Sequence, residues 1–318
     1  MNPPLPSPTD IWDRAEMAWL KDVFGSFSVE ADLSWGIQGI QVTKIDTTRG
    51  PVVVKSGKKW VRPDAEGEQR ALDPEPNPHN LREIRAYTQW MPQHNDLAPQ
   101  LIAAEPRLGI LAISFLDGDL VLGSAQVENP EVWQAAGETT RRFHGEARRV
   151  TSSFDGGNLS LLPNRVDAAE KGAEWLPTDP NLRSRVMAVA ETARAFLRTA
   201  IPRELPLYPT HADNSPRNWM MTPQGFRLID FGRAGIRPRY TELDFAWGAP
   251  GPCREAFMNG LGVPTDLAAW DEHERASCQL YLLAQYFRSL EWAWEHGDHG
   301  FYSEVLNRDE TIHQFSTV

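Results

Sequence analysis

Three polar residues between positions 207 and 238 have the types and the spacing that phosphoryl transfer needs. Asp213 lies in His-Ala-Asp, Asn218 follows it by five residues, and Asp230 ends an apolar stretch in Leu-Ile-Asp-Phe-Gly. Apolar segments that read as short strands precede both carboxylates, and Pro-Gln-Gly at 223–225 reads as a tight turn. Two strands joined by such a turn bring the three side chains close together.

The chemistry of these side chains predicts a role for each. A carboxylate at Asp213 can accept the proton of an attacking hydroxyl, while Asn218 and Asp230 can hold Mg²⁺ against the phosphates of a nucleotide. Asp and Asn also gather at turns because they hydrogen-bond their own backbone, which leaves a purely structural explanation open. The ordered pair within one small β-β unit favours the phosphotransferase.

A site of this kind also needs a lysine on an upstream strand and a helical glutamate beside it. The β-branched segment Val52-Val53-Val54 ends at Lys55, and a predicted helix over residues 80–91 carries Glu83. Each residue has a simpler explanation. Lys55 could be a solvated strand end, and Glu83 could be half of a capping box that begins at Asn80.

The purine of the nucleotide is expected to bind at the end of a strand. A predicted strand over residues 109–115 breaks at Leu-Asp-Gly, so the backbone of Ser114 and Leu116 is the expected contact for the base. Residues 34–39, with two glycines, are a weak candidate for a loop over the phosphates.

These segments together resemble the aminoglycoside phosphotransferase/choline kinase superfamily of small-molecule kinases. H-A-D-N-S-P-R-N at 211–218 matches the family's H-G-D-x-x-x-x-N, and L-I-D-F-G matches its metal-binding I-D motif. T-E-L-D-F-A at 241–246 matches its later D-[IL]-A segment, and R-R-F-H at 141–144 matches its L-x-x-L-H. The similarity runs from about residue 27 to residue 294.

The resemblance implies an α+β, two-lobed, protein-kinase-like fold. A small β-rich lobe over residues 1–116 would bind the nucleotide, and a larger, mainly helical lobe over residues 117–318 would carry the catalytic residue and the acceptor site. It further implies Mg²⁺ as cofactor, ATP or GTP as phosphate donor, and a hydroxyl of a small molecule as acceptor. By the same analogy, His211 supports the loop rather than acting as a base, and Asp244 braces that loop from behind.

Two positions depart from the family pattern. Ala212 stands where the family has Gly, so the backbone there must tolerate a Cβ. Phe231 and Gly232 follow the metal Asp where many relatives carry a second acid two residues on, which puts a second metal ligand in doubt. Neither change removes a catalytic group.

Composition fits a soluble enzyme. With 318 residues, 41% hydrophobic and 24% charged, the chain can bury a substantial core and form two lobes. A net charge of −11 makes nucleic acid an unexpected partner, and no apolar run approaches bilayer length. The amino terminus lacks the features of a signal peptide, and only two cysteines are present. We therefore predict a cytoplasmic protein that is a monomer or a weak dimer, with no membrane partner.

Apolar spacing predicts the helices of both lobes. They cover residues 11–23, 130–145, 184–201 and 274–297. The charged and Pro-rich stretch 57–79 is expected as a mobile insertion, and residues 150–182 are expected to be rich in loops.

The acceptor leaves the most alternatives open. Residues 251–318 contain eleven acidic and four basic residues, which would suit a polycationic antibiotic, although solvated helix faces are often acidic. Aromatic residues of the same segment would equally stack on a sugar or a nucleoside. They are Trp270, Tyr286, Trp292, Trp294, Phe301 and Tyr302.

The leading interpretation is an antibiotic kinase acting on an aminoglycoside or nucleoside-type natural product and giving resistance. The alternatives are a metabolic kinase for a small alcohol and a catalytically silent nucleotide-binding protein.

Overall fold

The computed structural model describes residues 7–34, 40–57, 76–94, 96–145, 148–149, 161–198 and 206–308. The chain groups into two units. The first unit comprises residues 1–124 and 216–235, and the second comprises residues 125–215 and 236–318. The boundary that the sequence predicts at residue 116 stays a prediction. The loop expected over the phosphates lies outside the described residues except at its first position, as does most of the insertion expected over 57–79.

The described strands and helices alternate along the chain. In chain order the strands are β1 (Phe27–Asp32), β2 (Ile40–Thr47), β3 (Gly50–Gly57), β4 (Leu101–Glu105), β5 (Ile110–Ser114), β6 (Asp119–Leu120), β7 (Arg148–Arg149), β8 (Pro206–Thr210), β9 (Trp219–Thr222), β10 (Gly225–Leu228) and β11 (Gly235–Arg237). The α-helices are α1 (Pro8–Ile11), α2 (Arg14–Phe24), α3 (Pro78–Gln89), α4 (Pro130–His144), α5 (Leu162–Glu170), α6 (Pro180–Phe196), α7 (Gly251–Leu261), α8 (Glu272–Glu295) and α9 (His299–Leu306).

A five-stranded antiparallel sheet forms the core of the first unit. Its strand order is β1-β2-β3-β5-β4. Helix α2 covers one face of the sheet, and the residues buried between them are Trp12, Leu20, Phe24, Ile45, Val52, Val54, Ile110 and Ala112. The helix predicted over residues 11–23 divides into α1 and α2. Helix α1 ends at Ile11, and Asp13 caps α2, because its side chain accepts hydrogen bonds from the backbone of Ala15 and Glu16.

Helix α3 is fixed against the sheet at its amino-terminal end. A Cβ on Gly57 would collide with the side chain of Asn77, so the glycine permits close approach. The Asn80 amide donates to the Gly109 carbonyl at 2.7 Å. These contacts set the position of the helix relative to β3.

The second sheet of the first unit has the order β10-β9-β6. Strands β9 and β10 form the predicted hairpin, with Thr222 opposite Gly225 at the turn and Trp219 opposite Leu228 at the other end. The Ile229 N–H then donates to the Asn218 carbonyl at 2.9 Å, which continues the pairing by one residue.

The second unit is mainly helical. A cluster of apolar side chains from α5, α6, α8 and α9 forms its core. Helices α4 and α7 approach closely where Gly137 faces Gly260, since a Cβ on either would collide with the backbone of the other helix. A small sheet of order β11-β8-β7 completes the unit. Within the described ranges, no helix is both long enough and apolar enough to cross a membrane.

The expectation of a loop-rich stretch over residues 150–182 is wrong for part of that range, because α5 lies there. Leu162, Val166 and Ala169 of this helix are buried in the apolar core. The helix is short, and Leu161 at its N-cap makes no capping hydrogen bond with its side chain. A capping side chain was therefore missing as a sequence signal, although Pro163 lies in the first turn of the helix.

Candidate active site

Lys55 lies in a buried cluster of charges in the first unit. Its Nζ donates to both carboxylate oxygens of Glu83 at 2.9 Å and to Asp230 Oδ1 at 3.2 Å. The side chains of Lys55 and Glu83 are 9% and 1% exposed, so Lys55 is not a solvated strand end. We call Lys55, Glu83 and Asp230 the Lys55 cluster.

The alternative explanation for Glu83, a capping box with Asn80, is wrong. Helix α3 begins at Pro78, two residues earlier than predicted, and its N-cap is Asn77, whose side chain accepts from His79 N–H. Glu83 is therefore in the second turn of the helix, where its side chain reaches the strand lysine.

Burial and pairing oppose each other in the Lys55 cluster. Burial alone would lower the pKa of Lys55, but the carboxylates of Asp230 and Glu83 outweigh it and raise that pKa above its ordinary value. Burial raises the pKa of Glu83, while the neighbouring ammonium pulls it down. Lys55 thus stays positively charged at any physiological pH.

Asp230 adopts a backbone conformation that few residues tolerate. Its φ is 62°, in the left-handed region, where Asp is one of the better-tolerated side chains. Its Oδ1 accepts from Gly232 N–H at 3.3 Å as well as from Lys55. The side chain is still 45% exposed, so its carboxylate can reach a further partner.

One face of α3 supports the Asp-Phe-Gly turn at 230–232. His79, Glu83 and Tyr87 are spaced four residues apart and so project from the same side of the helix. Tyr87 packs edge-on against the fully buried ring of Phe231, with centroids 5.6 Å apart, and the Glu83 carboxylate accepts from the Phe231 N–H. A Cβ on Gly232 would lie 3.2 Å from Asp230 Oδ1 and 3.4 Å from His79 Cβ. A Cβ at this position would therefore require its neighbours to shift by a few tenths of an ångström.

Asn218 and Asp230 flank the open end of the β9–β10 hairpin. The Asn218 carbonyl accepts from Ile229 N–H, the residue before Asp230, and Asn218 is 5% exposed. The structure therefore brings Lys55 into contact with both Glu83 and Asp230, and it puts Asn218 opposite the residue before Asp230 on the hairpin. An amide oxygen and a half-exposed carboxylate are ligands of the type that Mg²⁺ accepts.

The strand end expected to bind the base has part of its backbone occupied. Ser114 N–H donates to the Gln100 carbonyl, and its Oγ accepts from Gln100 N–H, both at 2.9 Å. The Ser114 N–H is therefore not available to a base. Leu116 follows the end of β5 and makes no backbone hydrogen bond with another described residue. A purine contact at Ser114 and Leu116 stays a prediction.

The segment that carries Asp213 is buried in the second unit. It follows β8 and comprises residues 211–215, which we call the 211–215 loop. His211 is fully buried, and Asp213 and Asn214 are 7% and 3% exposed. Ala212 has a φ of 59°, which for alanine costs about 1–2 kcal/mol.

A buried glutamate that the sequence analysis missed supports this loop. Glu242 accepts from His211 N–H at 2.6 Å and from Ala212 N–H at 3.3 Å. His144 Nε2 at the end of α4 lies 3.5 Å from the same carboxylate. Burial would raise the pKa of Glu242, but the hydrogen bond from His144 and the charges of His144 and His211 lower it below its ordinary value. Glu242 is therefore ionised at neutral pH.

The bracing role expected of Asp244 stays a prediction. Its Oδ1 lies 3.8 Å from Arg308 Nη1. Glu242, two residues earlier, is a carboxylate that accepts hydrogen bonds from the loop backbone. Both His144 and Glu242 lie within quoted motifs, R-R-F-H and T-E-L-D-F-A. Their positions in these two motifs were the sequence signal that could have indicated a role for both residues in the site.

Comparison with known proteins agrees with this geometry. Residues 41–294 match the sequence model of the phosphotransferase enzyme family, APH. A search of curated proteins gives no match.

Solved structures with a similar fold cover nearly the whole chain. A thermostable mutant of aminoglycoside phosphotransferase APH(4)-Ia, in a complex with ADP and hygromycin B, has a TM-score of 0.61 at 13% identity, covering 95% of this chain and 98% of its own. Macrolide 2'-phosphotransferase MphH from Brachybacterium faecium gives 0.55 at 14% identity, with 95% and 98% covered. Choline kinase from Cryptosporidium parvum gives 0.57 at 11% identity, with 95% and 94% covered. The predicted α+β, two-lobed, kinase-like fold is confirmed.

Proposed function

The chain belongs to the phosphotransferase enzyme family and is a small-molecule kinase with a hydroxyl acceptor, and we propose that Asp213 is its catalytic base. The Lys55 cluster is the single observation that most supports phosphoryl transfer. Lys55 is a buried ammonium between two carboxylates, one of them half exposed, and burying these charges costs desolvation free energy. Binding of a charged ligand gives a reason for keeping them. A phosphate chain with its metal is such a ligand.

The nucleotide side of the reaction falls to the first unit in this proposal. Lys55 binds phosphate oxygens of ATP or GTP, and Glu83 keeps the ammonium in place. Asn218 and Asp230 hold Mg²⁺, which when bound offsets the negative charge of the phosphates. Ser114 and Leu116 contact the purine through their backbone.

The acceptor side falls to the 211–215 loop. Asp213 orients the acceptor hydroxyl and takes its proton late, because the transition state of phosphoryl transfer is largely dissociative. Positioning and electrostatics then carry most of the catalysis. Asp213 is 7% exposed, so little of its surface is open to bulk water.

We propose an antibiotic as the acceptor, of aminoglycoside or nucleoside type. The similar folds of proteins named for aminoglycoside and macrolide phosphotransfer support it, while the choline kinase favours a metabolic alcohol as the second candidate. Two of the aromatic residues considered for an acceptor pocket belong to the core instead, because Trp270 and Tyr286 are 7% and 3% exposed.

The aromatic residues that remain lie near the end of α8 and on α9. Trp292 stacks on His296 with ring centroids 4.3 Å apart, and Trp294 is 47% exposed. Phe301 meets Trp292 edge-on at 5.9 Å. Such rings suit an acceptor with a sugar or base face.

A turnover screen tests the proposal. The purified chain is incubated with ATP or GTP, Mg²⁺ and one compound at a time from a panel of antibiotics and metabolic alcohols, and phosphorylated product is identified by mass spectrometry. We expect a product with at least one antibiotic and none with the Asp213→Asn variant. A panel in which no compound is phosphorylated by the wild type would contradict the proposal.

The salt dependence of the acceptor KM separates the acceptor classes. A polycationic acceptor attracted by acidic residues gives a KM that rises steeply with salt, because screening removes attraction beyond a Debye length of about 10 Å at 0.1 M. A neutral acceptor stacked on aromatic rings gives a KM that is nearly indifferent to salt and sensitive to Trp292→Ala or Trp294→Ala. Antibiotic protection on expression in a sensitive host separates the antibiotic kinase from the metabolic kinase.

A further inference from the structure

We propose that Glu242 is the positioning residue of the 211–215 loop, and that its hydrogen bonds hold Ala212 in a backbone conformation that alanine does not favour. The proposal rests on the proposed role of Asp213, the next residue along the chain. Glu242 touches neither nucleotide nor acceptor in this account and acts through the backbone.

The first observation is the pairing of one carboxylate with two consecutive amides. Glu242 Oε1 accepts from His211 N–H at 2.6 Å, and Oε2 accepts from Ala212 N–H at 3.3 Å. Hydrogen bonds to an ionised acceptor are shorter and stronger than neutral ones. Glu242 is 1% exposed, so water does not compete for these bonds.

The second observation is the backbone of Ala212. Its φ of 59° is natural for glycine but brings an alanine Cβ too close to the following carbonyl oxygen. A residue in such a conformation persists only when its surroundings impose it. Glu242 accepts from the amide of the strained residue and from the amide of the residue before it, so these two bonds restrain the backbone at Ala212.

The third observation is that α4 supports both sides of Asp213. His144 contacts Glu242, and Thr140, one helical turn earlier, accepts from the Asn214 amide at 2.6 Å. Thr140 and His144 are four residues apart and lie on one face of the helix. The residue before Asp213 is thus held through Glu242, and the residue after it is held directly.

This arrangement predicts a coupling between positions 212 and 242. Without the Glu242 bonds, alanine relaxes out of the left-handed region and Asp213 loses its orientation. Glycine at position 212 keeps the same backbone conformation without strain, so it should replace part of what Glu242 contributes. A residue with a merely structural role would show no such rescue.

The test is a cycle of four proteins: wild type, A212G, E242Q and the double variant. Gln has the size of Glu but presents an amide donor toward one of the two loop amides. The cycle is followed by the midpoint of thermal unfolding, by backbone hydrogen exchange of the 211–215 loop, and by ATP hydrolysis without acceptor as the probe of turnover. Binding of MgATP, assigned to the first unit, serves as the control.

We expect E242Q to speed hydrogen exchange in the loop and to lower turnover about a hundredfold, the usual effect of misplacing a reactive group by about 1 Å. Affinity for MgATP should stay within about twofold of the wild-type value, a change much smaller than the tenfold that about 1.4 kcal/mol produces. Adding A212G to E242Q should recover at least about tenfold in turnover. In the wild-type background, A212G should raise the unfolding midpoint more than it does in the E242Q background, where the strain has already relaxed.

Three results would overturn the proposal. One is an A212G variant that unfolds at a lower temperature than wild type, which can be measured even if E242Q does not fold. Another is an A212G effect on unfolding and hydrogen exchange that is equal in both backgrounds. The third is a double variant no more active than E242Q. A wild type without ATP hydrolysis would count against the proposed function alone, because the unfolding and exchange measurements still decide the role of Glu242.

Discussion

Two residues outside glycine have positive φ among the described residues, and one lies in each unit. Asp230 in the first unit and Ala212 in the second both adopt the left-handed conformation next to a candidate active-site group. The strained Asp230 is itself the functional group, and its own carboxylate is held by Lys55 and Gly232. The strained Ala212 is only a neighbour of the functional Asp213, and it is held by hydrogen bonds from the His211 and Ala212 N–H groups to the Glu242 carboxylate.

The turn at Asp230 and the 211–215 loop differ in how exposed their functional carboxylates are. Asp230 keeps a half-exposed carboxylate beside an ammonium, a site that can gain a cation and phosphates. The 211–215 loop is buried, and the Glu242 carboxylate accepts hydrogen bonds from two of its peptide N–H groups. Changes near Asp230 should therefore alter nucleotide binding first, and changes in the loop should alter turnover first.

The energies are of the right size for both turns to persist. A left-handed alanine costs about 1–2 kcal/mol. A hydrogen bond to a charged group contributes about 1.5–3 kcal/mol. Two bonds to Glu242 thus suffice to hold Ala212.

The largest effect is expected for Asp213→Asn. The variant keeps the size and burial of the side chain but removes the base, so kcat should fall by about 10²–10⁴. The measurement is turnover with whichever acceptor the screen identifies. A variant that retains more than about a hundredth of wild-type kcat would exclude Asp213 as a general base of ordinary strength.

The next largest effect is expected for Asp230→Asn. Asparagine tolerates a left-handed φ, so the variant removes charge without adding backbone strain, whereas Asp230→Ala would change both. Nucleotide affinity should fall at least about tenfold in saturating Mg²⁺ and little when the metal is chelated, where tenfold is about 1.4 kcal/mol. Equal affinity of variant and wild type in saturating Mg²⁺ would remove Asp230 from the metal site.

A smaller effect is expected for Glu83→Gln. Lys55 keeps Asp230 as a partner and the glutamine oxygen can still accept, so the loss of stability should be about 1–3 kcal/mol, with a raised KM for the nucleotide. The matched control is Glu30→Gln, because Glu30 pairs with Lys44 at 2.7 Å but is 48% exposed. An exposed pair contributes about 0–1 kcal/mol. Equal losses of unfolding free energy in the two variants, measured by urea unfolding, would mean that the buried Lys55–Glu83 pair stabilises the fold no more than an exposed pair does.

The smallest effect concerns the pH dependence of stability. The pKa of Glu242 in the folded chain lies below its ordinary value, so its contribution is present above the ordinary pKa and is lost as the pH falls through the folded one. The stability difference between wild type and E242Q should therefore shrink below a pH of about 4.5. Taking the difference between these two proteins cancels Glu83, whose pKa is shifted in the opposite direction. A difference that grows toward acidic pH would contradict this assignment.

The sequence indicated which residues form the Lys55 cluster because its members follow the order of the motifs, and the roles of those residues stay predictions. A strand lysine, a helical glutamate and an Asp after an apolar strand each have a local signature, and the structure joins them. The purine contacts and the metal ligands stay predictions. The choice between the two explanations for Glu83 needed the start of α3. Asn77 as N-cap and Pro78 at the first helical position mark that start locally, but Asn80 offered a competing N-cap in the sequence.

The role of Glu242 could not be predicted in the same way. Its burial follows from a short 3-10 turn at Arg239–Leu243 and from α4, more than ninety residues earlier in the chain. The acidic residue two positions later fits the family pattern equally well in sequence. Likewise, apolar spacing does not say whether a Trp such as Trp270 lines a pocket or fills the core, because packing against distant helices decides it.

The division between the two regions can be tested most directly by calorimetric titration of MgATP into wild type, Asp213→Asn and Asp230→Asn, with turnover measured on the same samples. We predict that Asp213→Asn binds MgATP as wild type does while turnover is lost, and that Asp230→Asn loses affinity. An Asp213→Asn variant whose affinity falls by the same factor as its turnover would contradict the assignment of Asp213 to the acceptor side of the reaction.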